Sequence, residues 1–191
     1  MLYNTLDEGG KMKNVILSIA KQAISDGLNH TSTLDRALLL ERYPEFSKQK
    51  ATFVTLTLYG ELRGCIGSLV AHRSLLNDLI HNAKAAAFDD PRFHPLSAEE
   101  FLHVKIEVSL LSEPEVIEYS TIEDLKSKVI IGSDGIILEY GAHKATFLPQ
   151  VWEQLPTFEH FFSHLCYKAG MDSDCLDLHP KISRYRVEKI A

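Results

Sequence analysis

Residues 51–59, ATFVTLTLY, alternate: Val54, Leu56 and Leu58 fall on one face, Thr55 and Thr57 on the other. Such period-two patterning specifies a half-buried strand. It stands between segments of a different period. Residues 11–26 repeat apolar pairs at helical spacing (Val15/Ile16, Ile19/Ala20, Ala23/Ile24), with Gly27 as the stop. A second helix covers 33–42, before Pro44. Residues 75–88 are helical again through Leu75/Leu76, Leu79/Ile80, Ala83 and Ala86/Ala87. Gly60-Glu61 fits a tight hairpin with glycine first, so 62–69 returns as a second strand. That register pairs Leu58 with Arg63, Leu56 with Cys65 and Val54 with Gly67.

Further along, DDPRFHP ends the 75–88 helix, and Ser97 with Glu100 forms a capping box. VKIEVSLL (104–111) is a strand, and Thr121 caps a helix over 122–127. In KVIIGSDGIILEY, Asp134-Gly135 is a hairpin turn; ATFL follows as another strand. Thr157 precedes a helix with Phe158, Phe161, Phe162, Leu165 and Ala169 on its apolar face, closed by Gly170. SRYRVEKI is the final strand. Trp152 and these phenylalanines belong to the core or to an interface between lobes. Mixed helices and hairpins predict an α+β fold, largely antiparallel sheet with flanking helices.

At 191 residues the chain makes one domain, or one domain with two lobes. A net charge of −6 with no Lys/Arg cluster opposes nucleic-acid binding. No apolar run approaches the ~20 residues that span a bilayer. Residues 1–14 carry no signal-peptide core. The three cysteines, Cys65, Cys166 and Cys175, show no framework spacing, which suggests reduced thiols in a cytoplasmic setting. Without CxxC, neither a redox pair nor a structural zinc site is expected.

The thiol in GELRGCIGSL is the sharpest chemical feature. On a regular strand, Arg63, Cys65 and Gly67 share a face. One reading is a buried small hydrophobe. The other is a reactive thiol on a cleft floor, with Arg63 favouring the thiolate and Gly67 leaving room beside the sulfur. A one-residue slip would move Cys65 to the other face. Asp90 and Arg92 flank Pro91: either a charged rim for a ligand, or an ion pair bracing the turn with Phe93 as its anchor. His160 and His164 share a helix face near Cys166, but without the acid of HExxH this is a solvated face and no metal is expected. His81 and His94 are single histidines expected near that thiol segment, in either a structural or a proton-shuttle role. Glu107, on the polar side of its strand, is either a base or simply solvated. No cofactor fingerprint is present, and Ser133-Asp134-Gly135 lacks the GK[ST] of a phosphate loop.

LRGCIG, with AAAFDDPRFHPLSAEE (85–100), IEVSLLSEPE (106–115), GSDGIILEYGAHKATFLPQVWEQLP (132–156) and FEHFFSHLCYKAGM (158–171), resembles in order the blocks of the AMMECR family, component A of the AmmeMemoRadiSam system. The resemblance covers about residues 10–188. It implies a single AMMECR-type domain over 1–191, two lobes around a cleft, with the N- and C-terminal segments in the larger lobe. It marks Arg63, Gly64, Cys65, Gly67, Asp90, Arg92 and Phe93 as cleft candidates. Family members occur alone, fused to a Memo-type domain, or encoded beside a radical-SAM enzyme, and no activity carries over. The expectation is an auxiliary binding component working with those two proteins. The alternative is a thiol enzyme with Cys65 as nucleophile or covalent acceptor.

Overall fold

The computed structural model describes residues 8–191, which form two compact units: one runs to Leu111 and regains Glu188–Ala191, the other is Ser112–Val187. In the first unit, α1 (Glu8–Asn29) buries Ile16, Ile19, Ala20, Ala23 and Ile24. It runs past Gly27. Beyond its end the buried Asp26 carboxylate gathers the Thr33 N–H and the Thr31 and Thr33 hydroxyls. The second helix starts three residues later than expected, as α2 (Arg36–Arg42), with Asp35 as its cap. After β1 (Thr52–Leu58) and β2 (Glu61–Gly67), Ser74 caps α3 (Leu75–Phe88). The Ser97/Glu100 capping box forms as expected on α4 (Ala98–Phe101), and β3 (Lys105–Leu111) follows.

The second unit begins with β4 (Glu115–Val116), a two-residue strand that the sequence pattern did not show. Thr121 caps α5 (Ile122–Lys128) as expected. Asp134-Gly135, however, is not a hairpin turn. The chain leaves α5 through a turn in which Asp134, fully buried, accepts the Ile130 N–H, and only then enters β5 (Gly135–Tyr140). Gly141 and Ala142 lead to β6 (His143–Phe147), and Thr157 caps α6 (Phe158–Lys168). Trp152 stacks on Phe161 at 3.6 Å, so these aromatics are the core of this unit. SRYRVEKI is split. Lys181–Tyr185 forms β7 and Val187–Ile190 forms β8, in different sheets. The break falls at Arg186, which exchanges hydrogen bonds with Ser112.

Among the described residues both sheets have four strands, ordered β2-β1-β3-β8 and β4-β7-β5-β6. Every strand pairing described is antiparallel, and the fold is α+β. In the first sheet Val54, Leu56, Val108 and Leu110 face the core, closed by α1 and α3. No helix among the described residues is long and apolar enough to cross a membrane.

The β1–β2 register differs from the expected one. The hairpin loop is Tyr59-Gly60, both at positive φ (53° and 90°), as a two-residue turn of the primed kind requires. A bulge then leaves Arg63 unopposed: Thr57 pairs with Leu62, but Leu56 with Gly64 and Thr55 with Cys65. The register is thus one residue away from the expected pairing of Leu56 with Cys65. Cys65 lies on the threonine face of β1, opposite the apolar core.

Candidate functional site

β2 is an edge strand, so its outer backbone groups need partners from outside the sheet. At Cys65 the loop after α3 supplies both. Its N–H donates to Asp90 Oδ2 at 2.9 Å, and its carbonyl accepts from an Arg92 terminal nitrogen at 3.3 Å. Cys65 and Thr55 are therefore a non-hydrogen-bonded pair, the kind that brings side chains closest. The Thr55 hydroxyl lies 3.3 Å from Sγ accordingly.

Asp90 is buried and also accepts from the Arg92 N–H, Nε and terminal nitrogen. These Arg92 bonds outweigh its desolvation, and with the Cys65 N–H they hold its carboxyl well below the usual carboxylate range. Arg63, the bulged residue, bonds to other groups than the thiol. Its guanidinium grips both oxygens of Glu100 at 2.9 and 3.0 Å and reaches the His94 carbonyl at 2.9 Å. Glu100 accepts the Ser97 N–H as well. The Arg63 bonds, then that cap, bring its carboxyl down to about 2. The Phe93 ring lies within 5.7 Å of Arg63 and 5.5 Å of Arg92. The two motifs, LRGCIG and DDPRFHPLSAEE, thus interlock through charge-assisted hydrogen bonds.

The two glycines have different partners. A Cβ at Gly64 would overlap the Ala86 carbonyl oxygen, so Gly64 is where α3 lies against β2, on the face away from the thiol. Gly67 does share the Cys65 face, but a Cβ there would overlap the Phe53 ring. The space beside the sulfur that the sequence suggested is filled by the chain's own phenylalanine.

Sequence reasoning missed a second cluster where β2 ends. Asp78, fully buried on α3, accepts from the Thr52 N–H and hydroxyl and from Asn82 through Oδ2, and from Ser68 and Arg73 through Oδ1. Asn82 also donates to the Thr52 carbonyl. The signal was present: Asp78 and Asn82 stand i,i+4 on the helical stretch whose apolar residues line the core. A buried polar pair on such a helix demands partners.

Of the seven candidates, Arg63, Cys65, Asp90, Arg92 and Phe93 meet at the β2 edge, Gly67 lies along it, and Gly64 faces α3. Glu107 is opposite Thr55 on β3, giving a row of thiol, hydroxyl and carboxylate across three strands, and its carboxylate is 3.8 Å from Lys189. His94 contributes its backbone carbonyl to Arg63. On α6, His164 Nδ1 lies 2.8 Å from the His160 carbonyl, and Cys166 is bonded to Cys175. That disulfide corrects the expectation of three reduced thiols. The last turn of α6 and the 3-10 turn Cys175–Leu178 bring the two Cα atoms to 5.9 Å, a proximity their spacing did not reveal. It also removes the argument for a reducing compartment. Cys65, partly exposed, is the free cysteine.

The AMMECR1 family pattern matches residues 17–190. A protein of Methanothermobacter thermautotrophicus is 35% identical over 95% of this chain and 93% of its own length. One of Methanocaldococcus jannaschii is 38% identical over 80% of this chain and 78% of its own. The crystal structure of an uncharacterised protein from Pyrococcus horikoshii aligns with a TM-score of 0.73 at 33% identity, covering 92% of this chain and 88% of that one. The chain belongs to the AMMECR1 family.

Proposed function

We propose that this protein is a binding component that works with a radical-SAM enzyme and a Memo-type protein, and that it meets them through the sheet face carrying Phe53, Thr55 and Cys65. The partners come from the family resemblance. The observation that supports binding over catalysis is the commitment of both arginines. A cysteine nucleophile needs a base or cation within hydrogen-bond reach. Here Arg63 forks onto Glu100, Arg92 forks onto Asp90, and the hydrogen-bond neighbour of the thiol is the Thr55 hydroxyl. The partial exposure of Cys65 favours the second reading, a thiol enzyme.

Calorimetric titration of the purified protein with a radical-SAM enzyme encoded beside a family member, and separately with a Memo-type protein, tests the proposal. Binding to at least one is expected. Cys65→Ser keeps the affinity within about threefold, because serine retains the Thr55 contact, whereas Phe53→Ala weakens it by about tenfold, 1.4 kcal/mol. No binding to either protein, or binding abolished by Cys65→Ser, overturns it. The second outcome points to the thiol enzyme.

A further inference from the structure

An edge strand with free N–H and C=O groups is a template for pairing with another chain. At Cys65 the loop after α3 does what a neighbouring strand would do. In an antiparallel hydrogen-bonded pair, one residue gives its N–H to, and takes an N–H from, the residue opposite. Here Asp90 takes the N–H and Arg92 serves the carbonyl, so two side chains stand in for one backbone residue. The arrangement is braced, since Asp90 and Arg92 are joined to each other by three hydrogen bonds. Upstream, the bulge at Arg63 breaks the regular edge, and the Arg63 side chain reaches across to the same loop through the His94 carbonyl. The remaining regular stretch is centred on Cys65.

We infer that the Asp90–Arg92 clasp is an edge guard: it blocks β2 from pairing with β2 of a second copy, and opening it exposes a self-complementary strand centred on Cys65. The second copy is the occupant that fits because the exposed groups, one N–H and one C=O on the same residue, are what the symmetry-related Cys65 offers in return. In that pairing the two Cys65 residues face each other as a hydrogen-bonded pair, with Cα atoms about 5.5 Å apart. That separation lies within the range of about 4.4–6.8 Å that a disulfide bridges. With Cys166 and Cys175 already joined, Cys65 reports the pairing alone. The inference holds whatever the protein binds.

The test compares full-length wild type, Arg92→Ala and Asp90→Ser/Arg92→Ala. Sedimentation velocity is run across a concentration series. Cross-linking uses diamide, which takes up the two electrons and two protons released as two thiols become one disulfide, read on non-reducing gels. Arg92 is half-exposed, so Arg92→Ala removes no core atom and is the deciding variant. Arg92→Lys, which keeps the charge without the fork, replaces it should it fail to melt cooperatively. The expected result is a wild type that cross-links slowly and a folded Arg92 variant that associates and cross-links at least tenfold faster. The cross-link disappears when Cys65→Ser is added, and the double variant, if folded, goes further. A folded Arg92 variant that cross-links no faster than wild type overturns the inference. So does a wild type already dimeric through Cys65.

Discussion

Gly64 lies directly against the carbonyl oxygen of Ala86, and that single approach sets how closely α3 packs on β2. Ala86 lies in the last turn of α3, and its backbone carbonyl can give way only by shifting that turn. Gly64→Ala is therefore expected to cost about 2–3 kcal/mol, at the upper end of overpacking. Denaturant unfolding measures it, and a cost below 0.5 kcal/mol, the scale of ordinary surface changes, contradicts the packing described.

Gly67 meets a side chain instead, the Phe53 ring, which can be removed. Gly67→Ala should destabilise by about 1–3 kcal/mol. In a Phe53→Ala background that cost should largely vanish. A double-mutant cycle with a coupling of about 1 kcal/mol or more is the expected outcome. Additive effects would mean that Gly67 answers to something other than Phe53.

Asp78→Ala leaves the Thr52 N–H, the Thr52 and Ser68 hydroxyls and the Asn82 amide without their carboxylate. Several orphaned buried donors together should cost at least about 3 kcal/mol. Asp78→Asn, which keeps an acceptor, should cost less. Thermal melting of the two variants gives the order.

How much of this was readable follows from what each residue leans on. α3 and the capping box at Ser97 were legible because their determinants are local: apolar spacing and a side chain three residues from its partner. The register of β2 was not. It depends on a bulge at Arg63, which is stabilised by Glu100, a residue 37 positions away. Cys65 accordingly moved to the other face. The candidates at 90, 92 and 93 came from the resemblance, while their shared purpose around the Cys65 backbone needed coordinates. The Cys166–Cys175 bond escaped because nine residues of spacing say nothing of how α6 and the following turn fold back.

Acid should expose the Arg63–Glu100 fork. The Glu100 carboxyl is lowered in the folded state from an ordinary 4.5 to about 2. Its contribution is therefore complete above pH 4.5 and is lost as pH falls toward about 2. Asp90, lowered mainly by Arg92, acts in the same direction. Glu100→Gln should be less stable at pH 7 and lose less stability than wild type between pH 5 and pH 2.5, measured by urea midpoints. Parallel acid limbs in the two proteins would contradict the assignment.

Reduction of Cys166–Cys175 opens a short loop, with a sequence separation of nine. Loop-closure entropy for about ten residues corresponds to about 2.5–3 kcal/mol. Denaturant unfolding with and without a phosphine reductant should show a loss of that order. Both sulfurs are buried, so reduction should proceed slowly under native conditions.

The central claim is that Asp90 and Arg92 complete the open edge of β2 at Cys65. Hydrogen exchange at the Cys65 amide tests it most directly. The account predicts that this edge-strand amide is protected to a degree comparable with β1 amides in the sheet interior. In Asp90→Ala its protection should drop by at least tenfold while the β1 amides keep theirs. A Cys65 amide that exchanges freely in the wild type, or one whose protection survives the loss of Asp90, would contradict it.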